Sequence, residues 1–233
     1  DLSAIEFWDR LVAAEALPTT AAPSVGAFQQ AYKRLAADGA EGIVAVTISA
    51  ELSATHQSAQ LATEGAPVPV TVVDSGTASI PLGLTAIAAA DAARLGADLS
   101  DVTTAVTGMD SDLLATLDTL EHLQKGGRIG AAQAFFGGLL NVKPLITFTD
   151  GAVAAAGRVR TRRKALAALF EWLAVQKGVV RAGVVHGNAP EIDDVVAQAK
   201  QLLPDVDPIV SLAGPVIGTH AGPGVIGIAV TRS

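Results

Sequence analysis

The stretch VIGTHAGPGVIGIAV, residues 216–230, contains one histidine, His220, directly before a glycine-rich turn. The glycines from Gly222 to Gly227 also have the spacing of a dinucleotide-binding fingerprint. That fingerprint requires a helix after the glycines and an acidic residue about 20 positions later, whereas here an apolar, strand-like run follows. We therefore predict strand, turn and strand, with His220 at the edge of the turn in either a structural or a functional role.

Hydroxyl side chains occur in two segments where α/β proteins commonly bind ligands. In ISAELSATH, residues 48–56, Ser53 follows an apolar run and precedes a predicted helix, which is the position of a helix N-cap. The carboxyl end of a strand and the amino end of a helix also favour an anionic ligand, so Ser53 is a candidate for both roles and the adjacent Ala54 is a candidate for the binding site. The second segment, PTTAAPS, residues 18–24, places Thr20 in a loop between two helices, where a plain capped loop is the alternative.

Cationic side chains are concentrated in two further segments. Arg128 follows two glycines in LQKGGRIG, residues 123–130; it is either a solvated loop cation or close to a ligand, because glycine allows close approach of the backbone. The segment GRVRTRRK, residues 157–164, begins a predicted helix, where positive charge opposes the helix dipole. We therefore expect a compensating anion from an acidic partner surface or a phosphate. The cations of this segment are Arg158, Arg160, Arg162, Arg163 and Lys164.

The first half of the chain alternates apolar strands with helices. This alternation predicts a parallel, Rossmann-like sheet with helices on its faces. The predicted strands are residues 43–49 and 70–75. The predicted helices are one capped by Ser3, one capped by Ser24, residues 54–63, residues 81–94 and one capped by Ser100.

The second half of the chain mixes a hairpin with helices. Asp150 and Gly151 form the predicted turn of the hairpin in KPLITFTDGAVAAAG. This mixture predicts an α+β unit with a mixed sheet, so we divide the chain into two α/β domains, residues 1–110 and 111–233. The other predicted elements are a strand at 113–118, a short helix from 121, a helix at 161–176, a strand at 181–187, a helix at 191–203 and two final strands.

The composition excludes several classes of protein. The net charge of −7 argues against a general binder of nucleic acid or of anionic membranes. The absence of cysteine excludes disulfides and cysteine–zinc sites, and the sequence has no uninterrupted apolar run of about 18 residues. Half of the 233 residues are hydrophobic but only 4% are aromatic, so we expect a core of small aliphatic side chains in a cytoplasmic protein without stable membrane insertion.

Taken together, these segments resemble the DegV family, which includes the fatty-acid-binding subunits of bacterial fatty acid kinase. The family pattern comprises T-S-Q-P-S, I-S-x-x-L-S-G-T, V-x-D-S, L-x-x-G-G-R-I, L-N-I-K-P, R-x-R and H-x-G-P-G. Matching segments occur in the same order over essentially the whole chain. They are TTAAPS (19–24), ISAELSAT (48–55), VVDS (72–75), LQKGGRIG (123–130), LLNVKPLI (139–146), RVRTRRKAL (158–166) and THAGPGVIG (219–227).

The sequence departs from the family pattern in two ways. TAAPS replaces T-S-Q-P-S and LSAT replaces L-S-G-T, so Ala54 stands at a family glycine while Thr20 and Ser53 are kept. The first strand of the family and its D-S-x-x-D-L segment do not occur in this sequence. We therefore expect the parallel sheet to lack one strand and the ligand site to lack part of one wall.

The resemblance implies a long-chain fatty acid with its tail buried between the two domains. It implies that Thr20 and Ser53, beside Ala54, hold the carboxylate with His220 close by, and that Arg128 and Arg160 lie near the head group or serve a partner kinase. The expected partner is a separate ATP-binding subunit that carries ATP and Mg²⁺ and phosphorylates the carboxylate to an acyl phosphate, with supporting roles for His220 and Arg160. The protein itself is expected to be a binding subunit, without its own enzymatic activity, metal or permanent cofactor.

Two other functions remain open from the sequence. One is a serine hydrolase that uses Ser53, His220 and an aspartate such as Asp74, although no G-x-S-x-G nucleophile elbow is present. The other is a regulatory lipid sensor that has no kinase partner. The cations at 158–164 favour a protein partner over the sensor.

Overall fold

The structure, a computed structural model, describes residues 2–135 and 142–232. In these residues the chain has an α/β fold with a small parallel sheet and a larger mixed sheet, which confirms the predicted fold class. The first three residues of the segment LLNVKPLI, 139–141, lie outside the described residues.

The small sheet is parallel, and its described strands pair in register from Ile43 with Val70 to Thr47 with Asp74. Both strands are rich in valine, isoleucine and threonine, which favour extended backbone. The strands are β1 (Ile43–Thr47) and β2 (Val70–Asp74). The helices of this half are α1 (Ala4–Ala13), α2 (Val25–Ala37), α3 (Thr55–Leu61), α4 (Ile80–Arg94) and α5 (Leu99–Thr107).

The expected caps are confirmed at α1 and α2 and wrong at α5, while the cap of α3 is described with the site below. Ser3 forms a capping box with Glu6 at the start of α1, and the Ser24 hydroxyl accepts the backbone N–H of Ala27 at the start of α2. At α5 the N-cap is Asp98 and not Ser100. The carboxylate of Asp98 accepts the backbone N–H of Asp101. Both residue types favour caps, and the helix begins at the earlier one.

The larger sheet has the strand order β5-β4-β3-β8-β6-β7 in the described residues, and all neighbours are antiparallel except β6 and β7. The predicted hairpin is confirmed, because β4 and β5 flank a turn in which Asp150 and Gly151 both have positive φ. The strands are β3 (Asp110–Thr116), β4 (Lys143–Thr149), β5 (Ala152–Val159), β6 (Val179–His186), β7 (Ile209–Leu212) and β8 (Ile226–Arg232). The helices are α6 (Glu121–Lys125), a 3-10 helix (Gly130–Phe135), α7 (Arg162–Ala174), α8 (Ile192–Leu202) and α9 (Pro215–Ala221).

The two faces of the larger sheet belong to different apolar clusters. Along β3, Leu113 and Ala115 face the cluster that includes α1, while Leu114 faces the cluster formed with α7 and α8. This alternation has the period of two that a strand imposes. The first face is the one that borders the cavity described below.

Helix α4 contacts both sheets. It packs against β1 on one side and against β6 and β8 on the other. Arg181 of β6 also forms a 2.9 Å ion pair with Asp91 of α4. The larger sheet begins at Asp110, next to the expected boundary, and the division into domains 1–110 and 111–233 remains a prediction.

Helix α9 replaces the strand predicted before the last turn. Residues 215–221 are helical, so His220 lies in the final turn of a short helix and not between two strands. The helix begins with Pro215 directly after Gly214, and proline at the first helical position is a common start signal. The apolar β-branched residues Val216 and Ile217 obscured this signal in the sequence.

Candidate functional site

A cavity of 440 Å³ lies between the larger sheet, the small sheet and α9. This volume falls in the range of small-molecule sites, about 300–1,000 Å³. Its lining includes Thr20, Ser53, Arg128 and His220, none of which is fully buried. We call this end of the cavity, where polar groups from four distant segments converge, its mouth. Its interior is lined by aliphatic and aromatic side chains of the larger sheet and its connections, namely Leu113, Ala115, Leu117, Ile146, Phe148, Val153, Val185 and Val225.

Thr20 and His220 are in direct contact at the mouth. The distance between Thr20 Oγ1 and His220 Nε2 is 2.9 Å. Thr20 is in the irregular segment after α1, and Trp8 of α1 anchors that helix by donating its indole N–H to Ala213 O at 2.9 Å. The loop that carries Thr20 and the helix that carries His220 are therefore held against the same part of the fold.

The ring of His220 packs closely against Gly126. A Cβ at Gly126 would lie 2.8 Å from His220 Cε1, so only glycine fits there. The other ring nitrogen, Nδ1, is buried without a hydrogen-bond partner. Burial lowers the pKa of His220, and the positive charge of Arg128 lowers it further, so the imidazole is neutral near pH 7.

Ser53 lies in a loop that is fixed at several points. Its hydroxyl is 2.8 Å from Thr55 Oγ1 and accepts the N–H of Thr55 at 3.2 Å. The N-cap position of α3 is Ala54, one residue later than predicted, and Ala54 cannot supply a side-chain cap. Ser53 lies one residue before the N-cap, and its hydroxyl accepts the first backbone N–H of α3. It also lines the cavity.

Asp74 and the hairpin turn hold the loop that carries Ser53. The Asp74 carboxylate accepts the N–H groups of Ala50 at 3.2 Å and Gly76 at 2.9 Å. On the other side, a Cβ at Gly151 would lie 2.6 Å from Ser49 Oγ, so the β4–β5 turn lies directly against this loop. The V-x-D-S aspartate thus has a structural role in shaping the mouth.

Arg128 connects the two sides of the mouth. Its Nε donates to Leu52 O at 3.1 Å, and its Nη1 donates to Gly126 O at 2.8 Å. Leu52 precedes Ser53, and Gly126 lies under the ring of His220. Arg128 therefore links the segment of Ser53 to the segment that supports His220, while its charge remains at the cavity opening.

The cationic segment at 157–164, which begins at the end of β5, contains one largely buried arginine and several exposed cations. Arg162 donates to both carboxylate oxygens of Glu191 at 3.2 and 3.3 Å and to Gly224 O at 2.6 Å. The compensating anion expected from a partner is therefore supplied by the protein itself at Arg162. Arg158, Arg160, Arg163 and Lys164 have exposed side chains outside the cavity lining.

The geometry does not assemble a serine–histidine–aspartate triad. Among the described residues, His220 Nε2 contacts Thr20 and not Ser53, and its Nδ1 has no partner. The Asp74 carboxylate is used by backbone N–H groups. A triad requires the base to contact the nucleophile and the acid to orient the base, so this arrangement argues against the hydrolase alternative.

Several residues that shape the site were not predicted from the sequence. Thr55 and Phe148 line the cavity, and His122 of α6 contacts the backbone of α9 through Thr219 O at 3.2 Å. Thr55 lies two residues after Ser53 at the start of a helix, and this position could have indicated from the sequence that it belongs to the site. Phe148 and His122 gave no signal, because their roles depend on contacts between distant segments.

Residues 2–135 and 142–232 contain no group of histidine and acidic side chains arranged to hold a metal ion. None of the helices in these residues combines the length and the apolar character that crossing a membrane requires.

An apolar cavity with polar side chains at one end, between two sheets, is typical of small-molecule sites in α/β proteins. The model of the family described as "Uncharacterised protein, DegV family" matches residues 1–233. A DegV domain-containing protein of Streptomyces coelicolor is 42% identical over 219 residues, which cover 91% of this chain and 78% of the relative. This chain belongs to the DegV family.

Two similar solved structures are described as fatty-acid-binding. DegV from Bacillus subtilis, described as a fatty acid binding protein, superposes with a TM-score of 0.89 at 30% identity and covers 100% of this chain and 85% of that one. A DegV family protein from Thermus thermophilus, described by its fatty acid binding, has a TM-score of 0.84 at 33% identity, with 100% and 85% of the two chains covered.

Proposed function

We propose that this protein binds a long-chain fatty acid in the 440 Å³ cavity and presents its carboxylate to a partner kinase. The observation that carries the proposal is the division of the cavity into an apolar interior and a mouth where Thr20, Ser53 and His220 converge. The fatty acid binding of similar DegV proteins supports the same ligand class.

The interior supplies the binding energy for the acyl tail. Burial of about 14 methylene groups contributes roughly 11 kcal/mol at ~0.8 kcal/mol each, from which the cost of immobilising the ligand is subtracted. The apolar residues of the lining are Leu, Ile, Val, Ala and Pro together with Phe148. Such a surface accommodates a flexible chain.

The mouth receives the carboxylate, which cannot be buried without hydrogen bonds. If Nε2 of His220 donates to Thr20 Oγ1, the hydroxyl proton of Thr20 is free to donate to the carboxylate. Ser53 provides a second hydroxyl, and Ala54 lies beside it. Arg128 adds a positive charge at the opening, which favours the ionised form of the ligand.

The partner in this proposal is an ATP-binding kinase subunit in the cytoplasm that converts the carboxylate to an acyl phosphate. ATP and Mg²⁺ belong to that subunit. His220 is placed to stabilise the negative charge that grows as the phosphoryl group arrives. Arg160 and the neighbouring exposed cations are the proposed contact surface for the partner, and Arg160 also supports the transfer.

Native mass spectrometry of the purified protein tests the ligand directly. We expect a bound mass that organic extraction identifies as a long-chain fatty acid in about equimolar amount. Folded protein that carries no acyl chain, and that does not take up added palmitate, would exclude the fatty acid as its ligand. A fatty acid retained by protein that no kinase subunit can phosphorylate would instead favour the lipid sensor.

A further inference from the structure

The end of helix α9 leaves its last backbone carbonyls without their usual partners, and one of them belongs to Thr219. In an α-helix the carbonyl of Thr219 would accept the N–H of residue 223. That residue is Pro223, which has no N–H group. Thr219 is buried, so water is not an adequate substitute, and a buried carbonyl without a donor is costly.

His122 of α6 supplies a donor to this carbonyl. Its Nδ1 is 3.2 Å from Thr219 O, and because a carbonyl oxygen only accepts, Nδ1 must carry the proton. The same ring lies against the turn after α9, where a Cβ at Gly222 would be 2.6 Å from His122 Cδ2. His122 thus contacts the last turn of α9 by a hydrogen bond and by packing.

The peptide that His122 holds is the one that precedes His220. Helix α9 has only seven residues, and its end is otherwise closed by the bond from Gly222 N–H to Gly218 O at 2.9 Å. A shift of this turn would move the imidazole of His220 away from Thr20, to which it is bonded at 2.9 Å. The hydrogen bond of His122 resists that shift.

We infer that His122 is a positioning residue for His220: by capping the Thr219 carbonyl that Pro223 leaves unpaired, it fixes the imidazole of His220 beside Thr20 at the cavity mouth. An effect of His122 on ligand affinity rests on the proposed function of this mouth. An effect of His122 on the position of the His220 ring does not rest on it, and the two effects can be measured separately.

Two substitutions separate the hydrogen bond from the packing. His122→Phe keeps a ring against Gly222 but has no donor, while His122→Asn loses the ring but places an amide N–H near the position of Nδ1. We expect His122→Phe to weaken palmitate binding roughly tenfold, as for the loss of one buried hydrogen bond, and His122→Asn to retain affinity within about threefold. His56→Ala, which removes another half-buried histidine bonded to Thr47, is the matched control and should bind palmitate like the wild type.

A double-mutant cycle with His220→Ala tests whether His122 acts through His220. We expect His122→Phe to have no further effect on palmitate affinity in the His220→Ala background. The same loss in both backgrounds, or a stronger loss for His122→Asn than for His122→Phe, would overturn the inference.

The ¹⁵N and ¹H signals of the His220 ring provide a readout that needs no ligand. His122→Phe should shift them, while His122→Asn and His56→Ala should leave them near their wild-type positions. If wild-type protein binds no palmitate, the proposed function fails but this comparison still decides the role of His122. Unchanged His220 signals in His122→Phe would refute that role.

Discussion

At the scale of single residues, the site depends on a contact that no local pattern encodes. Thr20 and His220 are 200 positions apart and meet at 2.9 Å. The sequence predicted each of them as a candidate, because one lies in an irregular loop and the other before a glycine-rich turn. Their pairing, and the tight fit of His220 against Gly126, depend on the packing of α1, α6 and α9 and were not predictable.

The two hydroxyls of the mouth should matter more for ligand binding than for folding. Thr20→Val combined with Ser53→Ala removes two donors to the carboxylate, each worth roughly 1.5–3 kcal/mol when the acceptor is charged. We therefore expect palmitate affinity to fall well over tenfold in a titration. Thr103→Val, which removes a hydroxyl that donates to Leu99 O within α5, is the control and should not change affinity. A large loss of unfolding free energy with unchanged affinity would show that Thr20 and Ser53 are only caps.

The low pKa of His220 predicts that palmitate binds more tightly as the pH falls. Burial and the charge of Arg128 keep the pKa of His220 below its usual value in the free protein. A carboxylate placed beside the ring favours the protonated form and raises this pKa, so the complex takes up protons that the free protein does not bind. Affinity measured by calorimetry should therefore increase between about pH 8 and pH 6, where the carboxylate of the ligand stays ionised.

His220→Ala should abolish this pH dependence while it retains part of the affinity. An equal slope in both proteins would assign the proton uptake to another group. In the unliganded wild type, stability should depend on pH in the opposite direction from ligand affinity. Because the folded state resists protonation of His220, the unfolding free energy should decrease as the pH falls through about 6.5, the usual pKa of histidine.

At the scale of elements, the sequence predicted most helices and strands but not the one that carries His220. Capping residues, the Asp150-Gly151 turn and the apolar strands are local signals, and most of them are confirmed. The exceptions are the caps expected at Ser53 and Ser100, and the strand expected before the last turn, which is helix α9. Helix α9 was predicted as a strand because Val216 and Ile217 favour extended backbone. Its packing on α1 and α6 outweighs that preference, and Gly214-Pro215 was the only local sign of a helix start.

Arg162 should be needed for the stability of this part of the fold. It joins the start of α7 to Glu191, just before α8, and to the turn after α9 through Gly224 O. Burial alone would raise the pKa of Glu191, but hydrogen bonds, including those from Arg162, outweigh that effect and lower it. Arg162→Ala leaves these acceptors unpaired, so we expect a loss of about 1–3 kcal/mol in urea denaturation. The exposed neighbour Arg163 is the control, and Arg163→Ala should stay within about 0.5 kcal/mol of the wild type; equal effects would mean that the Arg162 bonds contribute nothing.

At the scale of the whole molecule, the cavity is a joint product of both sheets. The small sheet contributes Ser53 through the loop after β1, and the larger sheet contributes the apolar interior. Arg128, Gly151 and Asp74 connect or shape the two sides of the mouth. Composition predicted the aliphatic interior only in the general sense that aromatic residues are few, whereas its location required the resemblance to a family.

The distribution of charge over the whole molecule suggests where a partner binds. The chain has a net charge of −7, yet the exposed side chains of Arg158, Arg160, Arg163 and Lys164 lie within seven consecutive residues. Arg162, in the middle of this segment, is neutralised by Glu191. The exposed side chains of Arg160, Arg163 and Lys164 concentrate positive charge on an acidic protein, which favours an acidic protein surface over nucleic acid.

The triple variant Arg160→Ala, Arg163→Ala, Lys164→Ala tests this patch without disturbing Arg162. We expect palmitate affinity to stay at the wild-type level, because none of the three lines the cavity, and acyl-phosphate formation with the cognate kinase subunit to fall by tenfold or more at low salt. Because charged surfaces mainly steer association, the difference from the wild type should shrink as salt is added. The control is a triple alanine variant at Arg10, Lys33 and Lys177, which are also exposed and whose removal changes the net charge by the same amount. An equal loss of turnover in the two variants would mean that total charge, and not a docking patch after β5, governs the encounter with the kinase.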